Sequence, residues 1–344
     1  MRFSPRPVGL QSLGRALRAA VPVALLAGLV AHVGTQPFAR SLDVLAPAPI
    51  LAALLLGGLT TVSQAMRWRA VAAACGAGSG LTRARAVSEC YRSALLNAVL
   101  PGGVMGDAIR AWRHRAPRER GLRSSATAVV GERTAGTALL LTAVALVTLP
   151  IDRRVAAFFL LGALVAGAVA APSLRRLPLT GQLAVWGWSL LALAPLVGLF
   201  AVATAQLGTV PGPQGAVALG LIVLAGMAIP IGVGGFGPRE AVAALAVGQV
   251  GLDAQAGVAT AAAYGVLAAV SALPGVLFMV LDVGRERRPA EPATLPETLP
   301  GARPETLPEA LPEALTVDVE VPSDARELLL DLELDLELDL VPAS

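Results

Sequence analysis

A helix crosses the hydrocarbon core of a bilayer with about 20 consecutive, mostly apolar residues. This chain supplies that length, or close to it, again and again: 19–36, 45–66, 124–149, 155–171, 183–207 and 255–282. The rest of the composition agrees. Mean hydropathy is +0.68 and only 15% of the 344 residues are charged, against roughly 25% for a soluble domain. The N-terminal basic stretch before "AAVPVALLAGLVAHV" has the look of a secretory signal, but "QPFAR" is a poor cleavage site and more apolar runs follow, so a retained first span is expected.

Two further apolar segments are interrupted. Segment 87–109 breaks at "LPGGVMGD", and 216–251 breaks at "IPIGVGGFGPRE". Helix breakers at membrane depth are tolerated where protein or a water-filled cavity satisfies the freed backbone groups. Arginine placement decides between crossing and turning back, because short cytoplasmic loops are enriched in basic residues. All 27 basic residues are Arg. With both segments re-entrant and the N-terminus inside, 19 Arg fall on the cytoplasmic side and three (Arg40, Arg153, Arg154) outside. With both segments crossing, the split weakens to 13 against nine. The re-entrant arrangement is therefore predicted, with both termini cytoplasmic and the two broken segments entering from opposite faces. Paired broken helices of this kind point to a transporter's midplane site.

Charge divides the chain in two. Residues 1–288 carry a balance of +15 and residues 289–344 one of −12. The second region, with its "PETLPEALPEAL" repeats and "LLLDLELDLELDL", reads as a disordered Pro/Glu/Leu-rich acidic tail with a possible protein partner. The expected fold is thus an all-α polytopic membrane domain over 1–288. It has about six full transmembrane helices and two re-entrant, broken-helix segments, followed by the tail.

Ionisable residues inside a membrane are costly and usually functional. Asp107 and Arg110 follow the first break and share a helix face. Glu132 and Arg133 lie inside a long apolar run, and Arg239 and Glu240 follow the second break. Simpler roles compete for each. Asp107 would cap a helix beginning at Ala108, Glu132 and Arg133 would be a structural pair neutralised by partners on other helices, and Arg239–Glu240 would lie in an outer-surface loop. Arg67-Trp68-Arg69, at the end of the second run, reads as an interfacial anchor. The coincidence of these charges with both breaks favours a polar groove. A glycine turn opening a helix presents free N–H groups to an anion, and a guanidinium fork matches phosphate oxygens. On that reading Gly102, Gly103, Arg110, Arg133, Gly234, Gly235 and Arg239 bind a lipid phosphate or headgroup. Asp107, Glu132 and Glu240 neutralise those charges or carry a proton, and Pro101 and Pro230 break the helices.

Two Cys (75, 90) and two His (32, 114) have no metal-site spacing, so neither a metal nor a cofactor is expected. A chain without Lys has no P-loop, which leaves ions or the lipid gradient as the energy source.

"NAVLPGGVMGDAIRAW", "ERTAG" and "GGFGPREA" together resemble the signatures of the lysylphosphatidylglycerol synthase transmembrane-region family, the flippase-like integral membrane proteins. The resemblance implies a multi-pass protein of the bacterial inner membrane, and the Arg-only, Ala/Gly/Pro-rich composition also points to a high-GC bacterial genome. It implies that the ligand is a membrane lipid, either an anionic phospholipid or a polyprenyl phosphate. It singles out Gly106 and Gly237 beside the residues above. Met105 stands where glycine is expected, which would stiffen or narrow the first turn. The soluble aminoacyl-transfer domain of the best-known relatives is not in this sequence, so synthase activity is not implied. A non-enzymatic translocator is expected, with no nucleic-acid partner. The alternatives are an accessory subunit of a cell-envelope synthesis enzyme and a membrane transferase using a lipid-linked donor.

Overall fold

A computed structural model describes residues 35–78, 80–100, 103–114, 121–209, 212–228, 235–249 and 253–286. The predicted first span (apart from its last two residues), the tail, and the site candidates Pro101, Gly102, Pro230 and Gly234 lie outside them. The described residues form helices in the order α1 (Gln36–Arg40), α2 (Pro47–Ala74), α3 (Arg83–Val99), α4 (Met105–Arg113), α5 (Gly121–Thr148) and α6 (Arg153–Leu174). Then follow α7 (Leu179–Leu207), α8 (Gly212–Met227), α9 (Pro238–Gln249), α10 (Ala254–Ala272) and α11 (Pro274–Glu286).

Five stretches are long and apolar enough to cross a membrane: α2, α5, α6, α7, and α10 with the start of α11 as one run, Ala254–Leu281. They match five of the six predicted spans. The protein is an all-α, multi-pass membrane protein. Both interrupted segments are helix pairs, α3/α4 and α8/α9, broken at the two glycine clusters. Local signals set several ends. Thr82, Asp152 and Asp253 accept from backbone N–H groups at the starts of α3, α6 and α10. Gly208, at φ +62°, closes α7 in the left-handed conformation that glycine adopts without strain.

α2 is the central helix, packed against α3, α5, α7 and α10. One core cluster gathers Trp68, Val71, Ala128 and Val185, and another Leu199, Phe200, Tyr264 and Leu267. The outward faces are apolar as well, with Leu55, Leu146, Phe158 and Leu245 all exposed. In water such faces would drive association. In a bilayer they meet solvent of their own kind.

One boundary moved for an instructive reason. The apolar run predicted at 45–66 ends at its first arginine, but α2 continues to Ala74. Arg67 and Trp68 are 5% and 1% exposed, so they do not form an interfacial anchor. The helix continues because Arg67 finds a carboxylate inside the protein.

Candidate functional site

α4 begins at Met105, just after Gly103, whose φ of +61° suits glycine. It packs back against α3 so closely that a Cβ on Gly106 would collide with the Ser93 carbonyl. The Gly106 N–H, one of the orphan donors of the first turn, donates to Asn97 Oδ1 at 2.8 Å. Asp107 follows in the same turn, and its side chain caps nothing. Its Oδ1 accepts from Ser93 Oγ at 2.8 Å and from Arg110 Nη2 at 2.9 Å. Its Oδ2 accepts from Asn97 Nδ2 at 3.0 Å and pairs with Arg133 Nη2. Met105, expected to stiffen or narrow this turn, is the first residue of α4 and is exposed.

Glu132, on α5, completes the network. Its Oε1 accepts from Arg110 Nη2 at 2.6 Å, and its Oε2 from Arg67 Nε at 2.9 Å and Nη2 at 2.8 Å. Arg67 also donates to Ser189 Oγ on α7 at 3.2 Å, and Arg110 lies over the Trp68 ring at 4.6 Å. α2, α4 and α5 are thereby tied through charge, and α3 and α7 join them through hydrogen bonds of Ser93, Asn97 and Ser189. Burying ions is expensive unless each is paired and hydrogen-bonded; every charge of this cluster has an opposite partner, and among the described residues Arg110 Nε is its one buried polar atom left without a hydrogen bond.

Exposure separates its members. The Arg110, Glu132, Arg67 and Asp107 side chains are 3%, 2%, 6% and 8% exposed, whereas that of Arg133 is 43% exposed.

Arg133 faces a cavity of about 790 Å³, within the range of small-molecule sites. Arg67, Asn97, Asp107 and Gln64 are also in its wall, among apolar residues of α2, α5, α7, α8 and α10. Gly103 of the first break and Gly235 and Phe236 of the second line the same space. A smaller cavity of about 250 Å³ lies by α3, α4 and α11, lined by Glu89, Arg92, Arg110 and Arg113 among others.

The second break places its charges differently. Gly235, at φ +81°, precedes α9. Arg239 and Glu240 are both 0% exposed, not in a surface loop. Glu240 Oε1 accepts from Arg239 Nε at 2.9 Å and Nη2 at 2.6 Å, and its Oε2 from the Gly237 N–H at 2.7 Å. Among the described residues, Arg239 Nη1 has no hydrogen-bond partner. The guanidinium lies 4.2 Å from the centre of the Phe236 ring and against Gly265, where a Cβ would overlap it. Phe236 and Gly265 both line the large cavity, so Arg239 sits directly behind its wall.

Of the residues predicted from sequence, Gly103, Asp107, Arg133 and Gly235 line the cavity. Glu132 and Arg110 are held behind the first group, and Arg239 and Glu240 form a separate pair. Arg67, Ser93, Asn97, Phe236 and Gly265 were not predicted as site residues. Only Arg67 carried a signal, its charge beside a membrane helix.

Residues 15–182 match the family model described as lysylphosphatidylglycerol synthase TM region, which bears out the resemblance over that range. The match takes in the first break and the "ERTAG" segment and ends before the second break. No curated protein matches the chain. The membrane-length helices identify a multi-pass membrane protein, and the match over residues 15–182 fits one related to lipid handling.

Proposed function

We propose that this chain, whose residues 15–182 match the lysylphosphatidylglycerol synthase TM region model, moves an anionic lipid between the leaflets of the bacterial inner membrane. The headgroup passes through the large cavity while the hydrocarbon chains stay in the bilayer. Residues 1–288 are the translocating domain, with both termini cytoplasmic, and 289–344 are an appended tail.

One observation carries this reading. A cavity of about 790 Å³ takes wall residues from both broken segments and presents a 43% exposed arginine, Arg133, to its interior. A half-exposed guanidinium facing a cavity within a membrane protein is suited to a phosphate headgroup. Arg110 and Arg239 are engaged in buried pairs, so they set the electrostatics of the path from behind its wall.

The test is leaflet accessibility of fluorescent phosphatidylglycerol and polyprenyl phosphate in proteoliposomes. Faster transfer of at least one of the two than in empty vesicles, slowed by Arg133→Ala in folded protein, is the expected result. No transfer of either lipid by folded wild-type protein would overturn translocation and favour the accessory role.

A further inference from the structure

The charge count of the first cluster narrows the ligand. Among the described residues, three guanidinium groups (Arg67, Arg110, Arg133) are held by two carboxylates, Asp107 and Glu132. Glu132 serves Arg67 and Arg110, the two buried arginines. Asp107 is shared by Arg110 and Arg133. The cluster therefore carries one positive charge more than its acids cancel, and the cation that opens to the cavity is Arg133.

Asp107 is placed to release that arginine. Without Arg133 it keeps Ser93, Asn97 and Arg110 as partners. An anion arriving in the cavity can take Arg133 from Asp107 and leave no buried carboxylate unpaired. Arg110 has no such freedom, since its side chain is 3% exposed and it bridges both acids.

In a cavity lined mostly by apolar residues, uncompensated charge is what costs most. A ligand with a single negative charge makes the occupied cluster neutral. A zwitterion leaves it at +1. A phosphomonoester, which carries about −1.5 to −2 near neutral pH, drives it negative beside Asp107. We infer that the cavity selects a phosphodiester monoanion, such as a phosphatidylglycerol headgroup or a sugar-linked polyprenyl phosphate, over zwitterionic lipids and over phosphomonoesters. This deepens the translocation reading and rests on it.

The experiment compares leaflet transfer of fluorescent phosphatidylglycerol, phosphatidylcholine and phosphatidic acid, by the full chain in proteoliposomes at one ionic strength. Phosphatidylglycerol is expected to move roughly tenfold faster than either, a difference equivalent to about 1.4 kcal/mol in barrier. Arg133→Gln makes the cluster neutral and is expected to erase the preference for the monoanion over phosphatidylcholine. Arg133→Lys keeps the charge and is expected to retain it. Equal transfer of all three lipids by wild type, or a preference that survives Arg133→Gln, overturns the charge selection but leaves translocation standing. No transfer of any lipid overturns both. A competition arm with dimethyl phosphate, a phosphodiester monoanion without chains, separates a lipid from a soluble ester. Lipid transfer unchanged at millimolar dimethyl phosphate supports the lipid ligand. Suppressed transfer with uptake of the ester assigns the cavity to soluble phosphodiesters and overturns it.

Discussion

Arg110 and Arg133 share one carboxylate, that of Asp107, the first from within the packed helices and the second from the cavity. The Arg110 side chain is 3% exposed and also holds Glu132, while that of Arg133 is 43% exposed and faces the cavity. The same ion-pair chemistry therefore has two consequences. One pair is structural, and the other is open to exchange with a ligand.

Stability should divide along that line. Glu132→Ala leaves the buried Arg67 and Arg110 without their shared acid, and breaking a buried pair costs about 3–5 kcal/mol. Arg133→Ala removes a half-exposed partner, for which roughly 0–1 kcal/mol is expected. Thermal unfolding in detergent should show a large drop in Tm for the first variant and little change for the second. Equal losses would mean that Arg133 is as structural as Arg110.

The same contrast shows how far the sequence could be read. Apolar run length located the five described membrane-length helices, and the Pro/Gly clusters located both breaks, because these properties are local. Asp107, Glu132 and Arg239 were conspicuous because charge is rare in such surroundings. Their partners were not legible. Arg67 lies 65 positions before Glu132, and its Arg-Trp-Arg setting imitates a headgroup anchor. Ser93 and Asn97 are ordinary polar residues until α4 folds back on α3. Which acid meets which base is decided by helix packing, and neither periodicity nor composition contains it. The burial of Arg239 likewise depends on Gly265, a residue of a different helix.

Asn97 gives a direct measure of the α3–α4 turn. Its side chain accepts from the Gly106 N–H and donates to Asp107 Oδ2. Asn97→Ala would orphan a donor of the α4 first turn and one carboxylate contact, at a cost of about 1–3 kcal/mol. Asn97→Asp keeps the acceptor but sets a second negative charge beside Asp107, so it should be no better. Denaturation in detergent would rank them, and full stability in Asn97→Ala would show that water replaces both bonds.

At the second break, Gly265 and Arg239 should behave as a coupled pair. A Cβ at 265 overlaps the Arg239 guanidinium, which Glu240 and the Phe236 ring hold in place. Gly265→Ala is expected to destabilise by about 1–3 kcal/mol, as overpacking does. Gly187→Ala, where the added methyl meets nothing within 4 Å, should be benign. In an Arg239→Ala background the Gly265→Ala cost should shrink, because the clashing group is gone. Strict additivity in this cycle would place the damage elsewhere in α10.

Cavity access can be read by thiol labelling, because both native cysteines, Cys75 and Cys90, are free and buried. Wild-type protein should resist a charged, water-soluble maleimide until it is unfolded. Thr137→Cys and Gln64→Cys place a thiol in the wall of the large cavity and should be labelled in the folded state. Labelling at Thr137→Cys should slow when phosphatidylglycerol is added and not when phosphatidylcholine is added, since a headgroup on Arg133 lies one helical turn away on α5. A Thr137→Cys variant as inert as the wild type would mean the cavity is closed to water, and a headgroup route through it would fail with that result.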